Sequence, residues 1–434
     1  MLPVTELARK AKEASFKLGA LSSEVKNNAL SAMARGLRAH ADEILQANAL
    51  DLKTALPEVE SGRMKKSLYE RLKLTPEKLE TTICGLEEMI SLPDPVGKIL
   101  LATELDDNLT LYKVSCPIGL LGVIFEARPD VVPQIAALTI KSGNAAILKG
   151  GKETLHTNTA LMRVIKNALS SVPGYPADAL NLIATREEAA QMLALDNYFD
   201  LIIPRGGNGL IAYVKANTKI PVLGHADGVC HIYVARTADL EMAKKICLDA
   251  KTQYPAACNA VETLLIDKHW PVAHTQELLN FLVQNGVLLY ADDSFKDIIS
   301  LAGSVDDFHT EYGEKKLSLK WVSDVSDAIV HINRYGSHHT DAILSHDEKE
   351  VQTFMNLVDS AGVYHNASTR FADGYRYGFG AEVGISTAKT HARGPVGLEG
   401  LTIYKYKLFG KGQIVADYVG KNAKAFTHKP LKEF

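Results

Sequence analysis

A chain of 434 residues, 46% hydrophobic and 7% aromatic, carries enough apolar material for a large core, and size scaling favours two or three domains over one. Its 48 basic and 51 acidic residues leave a net charge of -3, which excludes a broad cationic field for nucleic acid. No stretch approaches the ~20 apolar residues of a spanning helix, and the opening MLPVTELARKAKEAS holds no long apolar run, so no membrane partner and a cytoplasmic location are expected.

Apolar positions between Leu30 and Leu45 repeat at three and four residues, which predicts one helix capped by Ser22 or Ser23. The first hundred residues read as largely helical up to the breaker SLPDPVGKI. Alternation in LTLYKVSCPIG predicts a hairpin strand. Strands follow at 118–125, 145–149, 180–183, 200–203 and 221–223, with helices at 130–142, 153–170, 186–194 and 208–217, an α/β doubly wound pattern around a parallel sheet. A second α/β block has strands near 229–234, 261–266, 286–290, 316–322, 341–344 and 361–364, with helices at 238–252, 271–284 and 347–358 among those between them. The segment 401–410 alternates at period two without a neighbour in sequence, so its partner is a distant segment or another subunit.

Two glycine-rich turns follow predicted strands. ILKGGKET is not a phosphate-binding P-loop, because Ala146 stands at the first glycine and Glu153 replaces the hydroxyl residue after Lys152. No GxGxxG follows an early strand. The KGGK turn (Lys149, Gly150, Gly151, Lys152) and the PRGG turn (Pro204, Arg205, Gly206, Gly207) still combine open backbone amides with cations, although glycine in such turns is often only turn chemistry.

The five cysteines, Cys84, Cys116, Cys230, Cys247 and Cys258, are odd in number and contain no CxxC pair. Cys258 stands out in YPAACNAVETLL, between a predicted helix and strand, with small neighbours and the polar Asn259 beside it. A thiol so placed is approachable, and an adjacent amide is a candidate oxyanion donor, although most free cysteines are inert core residues. Histidines form no metal motif: there is no HExxH, and the adjacent His338 and His339 read as loop residues. His225, in LGHADGVCH, is a candidate acid or base against a stronger structural reading.

The segments FEARPDVVPQIA, KSGNAAILKGGKE, DLIIPRGG, LGHADGVCH, YPAACNAVETLL, NASTRFADGYRYGFGAEVGIST and HARGPVGLEGL together resemble the γ-glutamyl phosphate reductase family of the aldehyde dehydrogenase superfamily, essentially from end to end. That resemblance implies a Rossmann-like cofactor domain (1–104 and 117–234), an α/β catalytic domain (235–365, with 366–399 returning to the active site) and a β-flap for oligomerisation (105–116 and 400–418). It implies NADPH or NADP as cofactor, Cys258 as nucleophile, Lys149 at the adenosine ribose, PRGG beside the pyrophosphate and Glu311 at the nicotinamide ribose.

The expected reaction is reduction of γ-glutamyl phosphate to glutamate 5-semialdehyde through a Cys258 thioester. Two departures from the superfamily matter. The stretch LGHADG lacks the glutamate that activates water in hydrolytic relatives, and FEARP puts Ala127 where an oxyanion asparagine is usual. Asn259, Arg128 and the Cys258 amide stay open as replacements. Ser368, Thr369, Arg370, Glu382 and Arg393 are the expected contacts to the amino-acid end of the substrate, with Arg128 on the phosphate. A homo-oligomer, dimer or tetramer, and a functional association with glutamate 5-kinase are the expected partners. The alternatives are a dehydrogenase for another carboxylate substrate, a cysteine hydrolase pairing Cys258 with His225, and a non-catalytic relative.

Overall fold

The computed structural model of the chain describes residues 2–431 except 225 and 226. Five helices open it: α1 (Val4–Leu18), α2 (Ser23–Ala39), α3 (Ala41–Glu60), α4 (Lys66–Leu72) and α5 (Pro76–Ser91). Ser22 caps α2 by accepting from the Val25 amide at 3.3 Å. The single helix expected over Leu30–Leu45 is two, because His40 leaves helical geometry at φ -110 and ψ 21. The apolar stripe survives the break, since Leu30, Met33, Leu37 and Ile44 enter one core.

The strands β1 (Ile99–Asp106) and β2 (Leu109–Pro117) form an antiparallel hairpin. Next come β3 (Leu120–Phe125), β4 (Ala145–Lys149), β5 (Leu180–Ile183) and β6 (Leu201–Arg205), in the parallel order β5-β4-β3-β6. Helices α6 (Val131–Ser142) and α7 (Leu155–Ser170) join α2 and α5 on one face, while α1, α8 (Arg186–Leu193) and α9 (Asn208–Ala216) cover the other. The expected strand at 221–223 shrinks to a single bridge between Ile202 and Val222. Pro221 lacks the N–H that a ladder needs, so only its carbonyl joins, accepting from the Ile202 amide at 2.9 Å.

A second parallel sheet has the order β12-β11-β7-β8-β10-β9, from β7 (Cys230–Val234), β8 (Val261–Asp267), β9 (Leu288–Tyr290), β10 (Lys316–Val322), β11 (Thr340–Leu344) and β12 (Gly362–His365). Helices α10 (Leu240–Thr252) and α11 (Val272–Gln284) bury one face, and α12 (Val325–Tyr335) and α13 (Glu348–Leu357) the other. Because β7 is hydrogen-bonded between β11 and β8, residues 230–234 belong to this second unit and not to the end of the first, where a boundary at 234 was expected.

A small pair, β13 (Ile385–Ser386) and β14 (Gly394–Pro395), precedes β15 (Thr402–Phe409) and β16 (Lys429–Pro430). β15 finds its partner in β2, from Thr402 opposite Pro117 to Phe409 opposite Thr110, and β16 pairs with β1. This third sheet therefore starts at Ile99, earlier than the expected 105, and extends to 429–430, beyond the expected 418.

Candidate active site

The strand order reverses in the first sheet between β3 and β6, since β4 and β5 continue on the other side of β3. A crevice outside the carboxyl ends of such strands is where α/β sheets take nucleotides. Phe125, Lys149 and Arg205 end the three strands that border it. Lys149 is half-buried beside Glu153, Arg186 and Glu126, and burial lowers its pKa. Gly206 and Gly207 lead directly into α9, and the Gly207 amide donates to the Glu126 carboxylate at 3.0 Å. Gly150 has a packing reason to be glycine, because a Cβ there would strike the Asn158 side chain. Lys152 is exposed and acts electrostatically on Glu58. The Lys149 and Arg186 cations at a reversal crevice, with an uncapped helix start beside it, fit a dinucleotide phosphate.

The amino edge of the second sheet gathers the Cys258 thiol and its neighbours. Parallel pairing of β7 with β8 and β11 gathers Cys230 at the start of β7, Cys258 just before β8 and His339 just before β11. Cys258 sits in a turn, half-buried, with its Sγ 3.2 Å from His339 Nε2. The buried Cys230 thiol donates to the Cys258 carbonyl at 3.3 Å, and burial, then Asp341, pushes that thiol well up. Gly228 presses on the same turn: a Cβ there would lie 2.6 Å from the Cys258 carbonyl carbon. Asn259 is buried and donates to the Ala372 carbonyl at 2.8 Å, which ties the Cys258 turn to the segment carrying Arg370.

Arg370 lies against the other side of that turn. Its Nε donates to Gln253 Oε1 at 2.9 Å and its guanidinium stands 5.9 Å from the Tyr254 ring. Burial lowers its pKa, against Cys258 and two aspartates. Ser368 accepts from the Arg370 amide, and Thr369 is fully buried with no hydrogen-bond partner for Oγ1 among the described residues. Arg205 points to this region and not simply to the cofactor edge. Its Nη1 is buried without a hydrogen-bond partner among the described residues, and the charges acting on it belong to Arg128, Glu382, Asp130 and Cys258. Glu382 accepts from the Gly374 amide at 2.8 Å.

Other expected residues stand differently. Arg393 is 3.0 Å from Asp359 Oδ1 and also donates to the Asp359 carbonyl, so its charge already has a carboxylate. Glu311 lies within electrostatic range of the buried Lys251 and Glu262. Ala127 is buried at φ 45, and its amide donates to Glu153 at 3.0 Å. His225 lies outside the described residues. His339, Gln253, Tyr254 and Gly228 were not singled out for the site from sequence. His339 was visible only as half of an adjacent histidine pair, and its contact with Cys258 spans 81 residues.

Residues 3–285 match the model of the aldehyde dehydrogenase family. The γ-glutamyl phosphate reductase of Brachyspira hyodysenteriae is 53% identical, covering 99% of this chain and 100% of its own length. That of Methanosarcina mazei is 50% identical over 97% of this chain and 96% of its own. The crystal structure of γ-glutamyl phosphate reductase from Thermotoga maritima is similar with a TM-score of 0.91 and 36% identity, covering 95% of this chain and 100% of that one. With likeness of this extent in sequence and in fold, the chain belongs to the γ-glutamyl phosphate reductases of the aldehyde dehydrogenase family.

Proposed function

We propose that the chain reduces L-γ-glutamyl 5-phosphate to L-glutamate 5-semialdehyde and phosphate, the second step of proline biosynthesis from glutamate, with NADPH as reductant and a thioester on Cys258. The observation that carries this reading is an approachable thiol at the amino edge of the second sheet, acted on by both Arg205 and Arg370.

The Cys258 sulfur attacks the acyl carbon, a C–S bond forms, and the C–O bond to the phosphoryl group breaks. Arg128 and Arg205 balance the charge of that group, which as a good leaving group needs little acid help. Arg370 takes the substrate carboxylate, Glu382 its ammonium group, and Ser368 and Thr369 line the same end. Arg393, already engaged by Asp359, supports the segment instead of contacting substrate. Asn259 fixes the nucleophile turn against Ala372 and stays a candidate for the oxyanion.

Lys149, Gly206, Gly207 and Glu311 hold the cofactor, and Lys149 with Arg186 favours NADP over NAD through the extra phosphate. NADPH, when bound, supplies the hydride. Because LGHADG offers no glutamate to activate water, the thioester persists long enough to be reduced. The third sheet joins copies of the chain into a homo-oligomer, working in the cytoplasm on the product of glutamate 5-kinase.

The reaction run backwards tests this: semialdehyde should reduce NADP only when inorganic phosphate is present. Incubation with γ-glutamyl phosphate without NADPH should leave a γ-glutamyl adduct on Cys258, seen by peptide mass. An adduct elsewhere, or phosphate-independent turnover, overturns the proposal.

A further inference from the structure

The Cys258 thiol has a partner that the mechanism above leaves unused. The His339 ring is fully buried, its Nε2 is 3.2 Å from Cys258 Sγ, and its Nδ1 is 2.9 Å from Thr340 Oγ1. Thr340 opens β11 and is itself buried, so the ring is held by a strand and not by a mobile loop. When Nδ1–H donates to the threonine oxygen, Nε2 keeps its lone pair for the sulfur.

We propose that His339 is the base that takes the Cys258 thiol proton, with Thr340 as the positioning residue that orients its ring. This rests on the thioester reading and supplies the proton steps that it lacks. The proton moves from Sγ to Nε2 as sulfur attacks, and from there to the leaving group, which departs as hydrogen phosphate. After hydride reaches the acyl carbon, the C–S bond breaks and its electron pair returns to sulfur. One proton from solvent, passed through His339, restores the thiol. The sum is one hydride and one proton consumed per aldehyde formed. Arg205 and Arg370 lie within electrostatic range of the same sulfur, whereas the Cys230 thiol beside it is pushed well up by burial.

Iodoacetamide labelling near neutral pH, read by peptide mass on the full-length protein, tests the pair. In the wild type Cys258 should label faster than Cys84, although Cys84 is exposed and Cys258 only half so. His339→Gln and His339→Asn should slow Cys258 labelling about tenfold or more and turnover about a hundredfold. Thr340→Val should show the same direction with a smaller loss, and melting temperatures identify which variants are folded. Labelling of His339→Gln within twofold of wild type overturns the proposal. If neither His339 variant folds, Thr340→Val and the Cys258-to-Cys84 ratio decide, and Cys258 labelling no faster than Cys84 overturns it. Failure of the thioester reading shows separately, as no γ-glutamyl adduct on wild-type Cys258 whatever the labelling rates.

Discussion

Lys251 Nζ lies 2.7 Å from Glu262 Oε2, and both side chains are fully buried in the second unit. Burial pushes both towards their neutral forms, Glu262 up to about 7 and Lys251 down, with their mutual attraction opposing it. Removing one partner strands the other, so Lys251→Met should cost about 3–5 kcal/mol. The loss should shrink as pH falls through about 7, where Glu262 takes up a proton. Thermal unfolding checks this, and Lys251→Met combined with Glu262→Leu should regain most of the stability.

Gly228 is needed for space. A methyl group there would meet the backbone of Cys258 itself, which cannot rotate away as a flexible side chain would. Gly228→Ala should therefore displace the Cys258 thiol and, on the proposed mechanism, lower kcat by about tenfold or more, because small misplacements at a reacting centre are costly. The melting temperature should fall only modestly. Unchanged kcat would show that the turn can shift without consequence.

His331 predicts acid sensitivity. Its ring is buried among Phe308, Tyr335 and His231, and burial, then the neighbouring His231, Lys320, Arg334 and His309, lowers its pKa from 6.5 to about 3. The unfolded chain gains this proton below about 6.5, and the folded chain not until about 3. The stabilisation is thus complete above 6.5 and drains away as pH falls, by about 1 kcal/mol per pH unit. In denaturation between pH 6.5 and 5, His331→Phe should show a shallower loss than wild type.

The β15 strand lies at the edge of its sheet, with Tyr404, Tyr406, Leu408 and Phe409 exposed. A long apolar edge invites another chain. Leu408→Asp should reduce the assembly to smaller species in analytical ultracentrifugation while the far-ultraviolet circular dichroism is kept. A wild-type protein that sediments as a monomer would remove this reading.

Where signals were local, the sequence was legible. The strands Ala145–Lys149 and Lys316–Val322 match their expected bounds to the residue. Cys258 was recognisable because its small neighbours and its place before a strand are properties of one segment. Long-range facts were not legible in that way. His339 reaches the thiol only because β11 pairs with β7, which pairs with β8. The engagement of Arg393 by Asp359 likewise depends on a contact 34 residues away, and no spacing rule announces it. The break at His40 is hidden for the opposite reason: the apolar pattern is a property of the shared core and runs unaltered through it.

The pairing of β15 with β2 also bears on how the protein is made. Translation delivers the Leu109–Pro117 hairpin arm early, whereas its mate Thr402–Phe409 leaves the ribosome among the last segments. Asn144 waits likewise for the Leu401 carbonyl, 257 residues on, to which it donates at 2.8 Å. Both α/β units can thus be shaped on the nascent chain while the β2 edge stays bare. Stalled or prematurely terminated products carry that edge uncovered, so chaperone demand and aggregation should concentrate on chains cut short of β15.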